Sequence, residues 1–509
     1  MKVRNFLNGT ALLGVTMLPF CSLAQQTQDH SHYKVIEIGT FGGPNSYLTF
    51  SNRTLNNSGV AAGGADTAVT ANPPFCLLLP DCFVPHTFVW KDGVMTDFGG
   101  LPAVAISGSG PNYINEKGVV AGIAFNGGFD EVIGLPQFDG VIWKNGHILD
   151  LGTFGGNLSY AAAINDRDEA VGFALNTTPD SFDLGDWCQN FPMPTQMRAF
   201  IWRNGVKQDL GTLGGTDSCA LFINERGQVA GNSFTDLFVN PSTGLPTIHP
   251  VLWDHDKMLD LGTLGGTIAV AGGINNHGQV AGLSWLADDL TNHPFLWDDG
   301  KLTDLGSLGG DTAEVIGLNE KGHVVGKADL PGPLPQIHHA FIAGKEGISD
   351  LGTQDGDPCS IAFGINSQDQ VVGASSDCFN SLHAFLWERG LMMDLNGFVP
   401  AGSGLTLTQG TFINDRGEIT AEGVLPNGDQ RAVLLIPCDS DHPGIEGCDY
   451  SPLEPPTTSS APGIALNLQN PTPAKPSDSA GGNQMVRRVR PLHNRLISWS
   501  RGLGVRSPK

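Results

Sequence analysis

Basic residues are scarce in this chain, 28 Lys and Arg against 51 Asp and Glu in 509 residues, which leaves a net charge of -23. That balance argues against nucleic acid or anionic lipid as the ligand of the chain's body. Charge of either sign is sparse at 16%, below the roughly 25% usual in soluble domains. Sustained heptads and Gly-X-Y runs are missing, which excludes a coiled coil, a helical bundle and collagen. No apolar run after Ala24 is long enough to span a bilayer, so no transmembrane segment is expected. The chain also lacks C-x-x-C, G-x-S-x-G and H-E-x-x-H, so zinc clusters, nucleophile elbows and zinc proteases are without their motifs. Glycine, by contrast, is abundant at 68 residues and recurs at fixed offsets, as in a turn-rich β protein.

The first residues read as a targeting segment. Lys2 and Arg4 precede a short apolar stretch from Ala11 to Phe20, and Ser22-Leu23-Ala24 has the small residues of a cleavage site. Residues 1–24 are therefore expected to be a secretory signal peptide, and the mature protein to be extracellular or periplasmic. Pro19 and Phe20 stand where a lipidated Cys21 would need small residues. The mature chain keeps eight of nine cysteines: Cys76, Cys82, Cys188, Cys219, Cys359, Cys378, Cys438 and Cys448. An even number in an oxidising compartment points to disulfides, with zinc as the alternative.

Ordinary domains would number about three or four at this length, unless small repeats build one larger unit. A repeat is present. Asp-Leu-Gly recurs at Asp150, Asp209, Asp260, Asp304 and Asp350, with degenerate copies at Glu37, Asp97 and Asp394. An Asn followed three residues later by Gly or Asp recurs at Asn56, Asn115, Asn165, Asn224, Asn275, Asn319, Asn366 and Asn414. An apolar strand closes on Trp90, Trp143, Trp202, Trp253, Trp297 and Trp387, with weaker copies at Ala343 and Leu435. The three landmarks keep one order, and successive Asn positions lie 44 to 59 residues apart.

Four β segments in a period of about 50 residues are the mark of a propeller blade. The unit around Asn275 predicts strands over 268–275, 279–283, 294–297 and 301–305, with a tight turn at Asn276-His277-Gly278. Asn can cap that turn, and Gly supplies the positive φ it needs. The first strand is rich in small residues, as suits a crowded channel. The third is almost wholly apolar, as suits a strand sandwiched between blades. The fourth mixes polar residues and ends on Asp, as suits an exposed edge. The fold expected is thus an all-β propeller over residues 35–437, with eight four-stranded blades and the N-terminal strand closing the ring. Seven blades is the alternative, should the divergent first unit fail to form one.

This geometry places every long insertion on one face: 65–85, 126–138, 176–197, 233–248 and 328–337. Loops on a rigid scaffold are where function usually sits. Cys188 and Cys219, like Cys359 and Cys378, fall in loops of that face. Neighbour pairing of the cysteines is therefore expected, with residues 438–450 forming a last disulfide loop.

The strands His383-Ala384-Phe385 and His339-Ala340-Phe341, with the relatives at Arg198, His86 and His293, resemble the HAF-repeat family of bacterial extracellular proteins. Asp-Leu-Gly-Thr-Leu-Gly-Gly at Asp209 and Asp260, and Ile-Asn-x-x-Gly-Gln-Val at Ile223 and Ile274, strengthen the likeness, which spans about four-fifths of the chain. The resemblance implies an exported repeat protein and no particular activity. Asp139 and Arg431 depart from the pattern at the head of the third strand.

Histidines at 86, 249, 293, 339 and 383 open third strands, but Arg198 fills the same place elsewhere and cannot be an ordinary metal ligand, so no metal or cofactor is expected. The Gly-Gly doublets lack the helix and Lys of a phosphate loop. The acids Asp439, Asp441, Glu446 and Asp449 lack calcium-loop spacing. The best ligand-surface candidates are Asp183, Asp186 and Trp187, with Trp285 and Asp288 second, because aromatic planes beside carboxylates suit sugars or cations. Packing around the Cys188 disulfide is the plainer account of the same loop. After Tyr450 a Pro/Ser/Thr-rich linker leads to a tail with eight Lys/Arg and one acid between Lys475 and Lys509, expected to be disordered. The expected function is a monomeric binding or scaffold module for an extracellular glycan or protein. The alternative is a propeller hydrolase or lyase acting on extracellular polysaccharide or peptide.

Overall fold

The computed structural model describes residues 32–451, apart from 49–52, 73–75, 77–80, 105–106, 132–133, 181, 183, 189–192, 242, 256, 334–335, 355 and 379–381. The expected signal peptide, and the linker and basic tail beyond Ser451, lie outside the described residues.

Each repeat folds into four antiparallel strands. Blades 1 to 7 span 42–99, 109–150, 159–209, 218–260, 265–304, 313–352 and 359–394. Blade 8 takes three strands from 406–437 and its outermost from Tyr33–Ile38, which pairs antiparallel with Gln430–Pro437. The N-terminal strand therefore closes the ring, and the β-propeller has eight blades. By hydrogen bonding there are seven sheets, because one parallel pairing of Ile248 with Ile268 joins blades 4 and 5. The divergent first unit does form a blade, with Gly42–Tyr47 as its inner strand.

The landmark asparagines hold the ring together. Asn275 Oδ1 accepts from the backbone N–H of His277 and of Gln279, each at 3.1 Å, which is the turn cap expected of it. Its Nδ2 does more, donating to the carbonyl of Asn319 in the next blade at 3.1 Å. The same bond runs from Asn56 to Asn115, Asn165, Asn224, Asn275, Asn319, Asn366 and Asn414, and from Asn414 back to Asn56. All eight side chains are buried. Satisfied polar groups in so enclosed a place specify one arrangement of neighbours. Where Gly is absent from the turn, Asp168 and Asp369 adopt the positive φ themselves, at 60° and 65°.

A bulge in the first strand of most blades pushes a carbonyl toward the second strand. The residue opposite must be glycine: a Cβ on Gly326 would lie 1.8 Å from Glu314 O. Between blades, Phe88, Phe200, Phe295, Phe341 and Phe385 of the third strands are fully buried. The Trp253 indole N–H donates to Leu210 O of the preceding blade at 3.0 Å.

Four cysteine pairs lie within disulfide reach and match neighbour pairing: Cys76 with Cys82, Cys188 with Cys219, Cys359 with Cys378, and Cys438 with Cys448, at Cα separations of 4.7, 6.4, 5.0 and 5.4 Å. Among the described residues no helix is long and apolar enough to cross a membrane.

Candidate functional site

The strand order puts connections between second and third strands, and between blades, on one face. The insertion after Ala170–Pro179 in blade 3 reaches across that face. Its short helix Gly185–Cys188 sets the Trp187 ring edge-on to Trp285 of blade 5, with centroids 5.4 Å apart and planes at 81°. Phe182 meets Phe234 of blade 4 edge-on at 6.4 Å, and Cys188 is bonded to Cys219 on an innermost strand. Leu184, Met193 and Met197 join the same apolar cluster, which draws residues from blades 1 to 5. Aromatic and sulfur-bearing side chains are large and adaptable enough to fill such an irregular space.

This changes the reading of the candidate ligand surface. Trp187 and Trp285, picked out separately, do meet, yet each is only 8% exposed. A sugar platform needs an open ring face, so the pair is core, and loop packing around the Cys188 disulfide is the better account. Asp183 lies outside the described residues, and of Asp186 only its backbone place in the helix is described. Asp288 is exposed but occupied with its own turn, accepting from the N–H of Leu290 at 2.9 Å and of Thr291 at 3.0 Å. Burial opposes ionisation there, but these donors prevail and hold its pKa below the usual carboxylate value.

Beneath the insertion, Asp217 is fully buried and accepts from Met197 N at 2.7 Å and the Thr216 hydroxyl at 2.8 Å. Burial, reinforced by Asp180, pushes its carboxyl up to about 7. Asp66, hydrogen-bonded by the Tyr47 hydroxyl and Asn45 N, is likewise pushed up to about 7, chiefly by burial. Asp217 ties the connection into blade 4 to the third strand of blade 3, and Asp66 ties the second strand of blade 1 to its first.

The histidines that open third strands are held by carboxylates of the fourth. His86 meets Asp97 at 3.0 Å, His249 meets Asp260 at 2.7 Å, His293 meets Asp304 at 2.9 Å and His339 meets Asp350 at 2.8 Å. Arg198 with Asp209 and Arg431 with Glu37 are the same joint with a guanidinium. Two blades depart from it. In blade 2, Asp139 stands where the base should be, and its buried Oδ1 has no hydrogen-bond partner among the described residues. Burial and Asp150 push Asp139 up to about 6. Nearby Lys207, over the Phe154 ring at 4.6 Å, is pulled down to about 8 by burial.

In blade 7, His383 turns away from Asp394 to Asp357 of the incoming loop, at 2.9 Å. Asp394 instead caps the turn Leu395–Phe398, accepting from Asn396 N at 2.8 Å. The long connection into blade 8 packs Leu395 and Leu405 into the core and borders a groove of about 390 Å³, lined by His383, Asp394, Asn396, Ser403, Leu405 and Thr406. Sequence reasoning missed this groove. Its signal was the unusual connection after Asp394, where Asn396 breaks the Asp-Leu-Gly pattern and Gly402-Ser403-Gly404 follows.

No family model and no curated protein matches the chain. Solved propellers do resemble it. The β-propeller domain of the trilobed protease from Pyrococcus furiosus shares 12% identity at a TM-score of 0.39, over 69% of this chain and 95% of that one. A prolyl endopeptidase shares 10% at 0.43, over 75% of this chain and 54% of that one. A family PL25 ulvan lyase shares 9% at 0.37, over 78% and 95%. At such distances the likeness concerns the fold and carries nothing about activity.

Proposed function

We propose that the protein is an exported binding or scaffold module of the HAF-repeat kind, with the loop-rich face as its ligand surface and an extracellular glycan or protein as its ligand. The observation that carries this reading is the groove in blade 7. It brings an imidazole, a carboxylate, an amide and two hydroxyls to the border of one open hollow. Convergent donors and acceptors of that kind suit ligands rich in hydroxyl or amide groups. The channel mouth offers apolar packing instead, and Asp217 beneath it is closed to solvent. Four cysteine pairs accord with export.

The test is a screen of the purified chain against immobilised glycans and peptides, with product analysis of each hit. Saturable binding without product, weakened at least tenfold by the double substitution His383→Ala and Thr406→Ala, is the expected result. Released fragments would favour the second reading, a hydrolase or lyase. Asp139 and Lys207 are the observation that favours it, since opposed shifts toward neutrality are what acid–base chemistry uses. Under that reading Asp139→Asn abolishes fragment release.

A further inference from the structure

The four disulfides sit in different surroundings. Cys188 and Cys219 are both buried, and Cys438 is buried with Cys448 partly exposed. Cys359 has no exposed surface, whereas its partner Cys378 is partly exposed and holds a left-handed backbone with φ of 72°. The Nδ1 atom of His338, at the head of the third strand of blade 6, lies 3.7 Å from Cys359 Sγ. Among the described residues no other cysteine sulfur has an imidazole partner. Cys82 resembles Cys378 in exposure and in its φ of 64°, so Cys76 with Cys82 is a built-in comparison without a histidine, in which the second sulfur, on Cys76, is partly exposed as well.

Thiol–disulfide exchange needs an accessible sulfur to attack and a leaving sulfur whose thiolate is stabilised. Both are here on opposite sides of one bond. We propose that Cys359–Cys378 is an exchange site for a small thiol, with Cys378 as the attacked sulfur, Cys359 as the leaving group and His338 as the group that receives its charge. The incoming thiolate forms a bond to Cys378 Sγ, and the bond to Cys359 breaks with its electron pair passing to Cys359 Sγ. His338, as the Nδ1–H tautomer, donates to that thiolate. A second thiolate then attacks the thiol's own sulfur in the mixed disulfide. Cys378 leaves as a thiolate, and the two small thiols depart joined as their disulfide. Protons from solvent complete the pair of cysteine thiols.

The imidazole is placed for this part. Lys327 and Glu314, themselves 3.4 Å apart, and His339 on its own strand are the charged groups around it. Burial foremost, and then Lys327, pull its pKa down to about 4. It is therefore neutral with one N–H to give, until a thiolate beside it favours a second proton. The inference is independent of the binding reading, because it concerns the sulfur chemistry alone.

The test exposes the intact chain to mercaptoethanol for graded times, blocks with an alkylating agent and reads each cysteine by peptide mass spectrometry. The mixed disulfide is expected on Cys378 and not on Cys359. This pair should open on the order of tenfold faster than Cys76 with Cys82. His338→Leu should remove most of that advantage, and His338→Gln part of it. Because both pairs are read in one molecule, a general loss of stability does not mimic the result. Equal opening of the two pairs, adducts on Cys359, or a rate ratio unmoved by either substitution would overturn the proposal.

Discussion

Asn414 donates its side-chain amide to the backbone carbonyl of Asn56, 358 residues away, at 2.9 Å. The bond is one of eight alike, and it joins the last blade to the first in the chemistry used between all the others. Serine makes a second shared joint. Ser46 Oγ donates to Ile38 O and accepts from Ala432 N, each at 3.0 Å, as Ser218 Oγ does with Gly211 O and Ala199 N. The place where the chain ends meet is thus built like any other joint.

Removing one member of this ring leaves buried backbone and side-chain groups of both blades unpaired. Asn414→Ala and Asn275→Ala should each cost about 2 to 4 kcal/mol, since each buried unsatisfied group costs roughly 1 to 3 kcal/mol. Urea unfolding of the two variants checks this. A loss below about 0.5 kcal/mol would mean the ring adds little to the ordinary strand pairing.

The glycine facing each strand bulge predicts a second class of sensitive positions. Gly326→Ala places a methyl where Glu314 O already sits, and Gly93→Ala has open space around it at a turn. The first should destabilise by about 1 to 3 kcal/mol through overpacking. The second should cost about 1 kcal/mol, from positive φ alone. Thermal unfolding of both distinguishes crowding from backbone preference.

The arrangement of blades was legible because the three landmarks repeat in fixed order, and the cysteine pairing followed from their placement on one face. The Asn ring was half legible. Capping of the local turn is a property of the residue type, whereas the bond to the next blade depends on a backbone carbonyl that no spacing reveals. The pairs His86 with Asp97, His249 with Asp260, His293 with Asp304 and His339 with Asp350 share one separation of 11 residues, so that signal was present and went unused. Trp187 and Trp285 show the limit from the other side. Composition marks them as large and amphipathic, but only the path of the insertion decides that they face each other and not solvent.

Acidity acts on this fold in two opposed ways. Asp66, Asp217 and Glu422 are pushed up to about 7, chiefly by burial. A carboxyl raised on folding binds its proton more tightly in the native state, so its stabilisation is full below the ordinary carboxylate value and is lost as pH rises toward 7. Asp97, Asp260 and Asp350 are the reverse. Burial opposes ionisation, but their histidines and the following glycine N–H groups hold them low, so their contribution is lost as pH falls below the ordinary value. Thermal stability should therefore peak near pH 4 and fall until about pH 7, at about 1 kcal/mol per pH unit for each raised group. Glu422→Gln should flatten that descent. A melting temperature that climbs steadily from pH 4 to 7 contradicts the assignment.

The insertion over the channel mouth depends on its disulfide. Replacing Cys188 and Cys219 with serine opens a loop of sequence separation 31, which should cost about 3 to 4 kcal/mol. Trp187 and Trp285 lose their apolar surroundings together if the insertion lifts, so tryptophan emission should shift to the red. Loss of stability without that shift would mean the insertion stays seated by packing alone.

Hydrogen exchange of the protein with and without a ligand found on the array tests most directly whether the loop-rich face is the working surface. Protection confined to the connections around 353–359 and 395–406, with the turns after the eight asparagines unchanged, is the result predicted. Protection of those turns, on the opposite face, would contradict it.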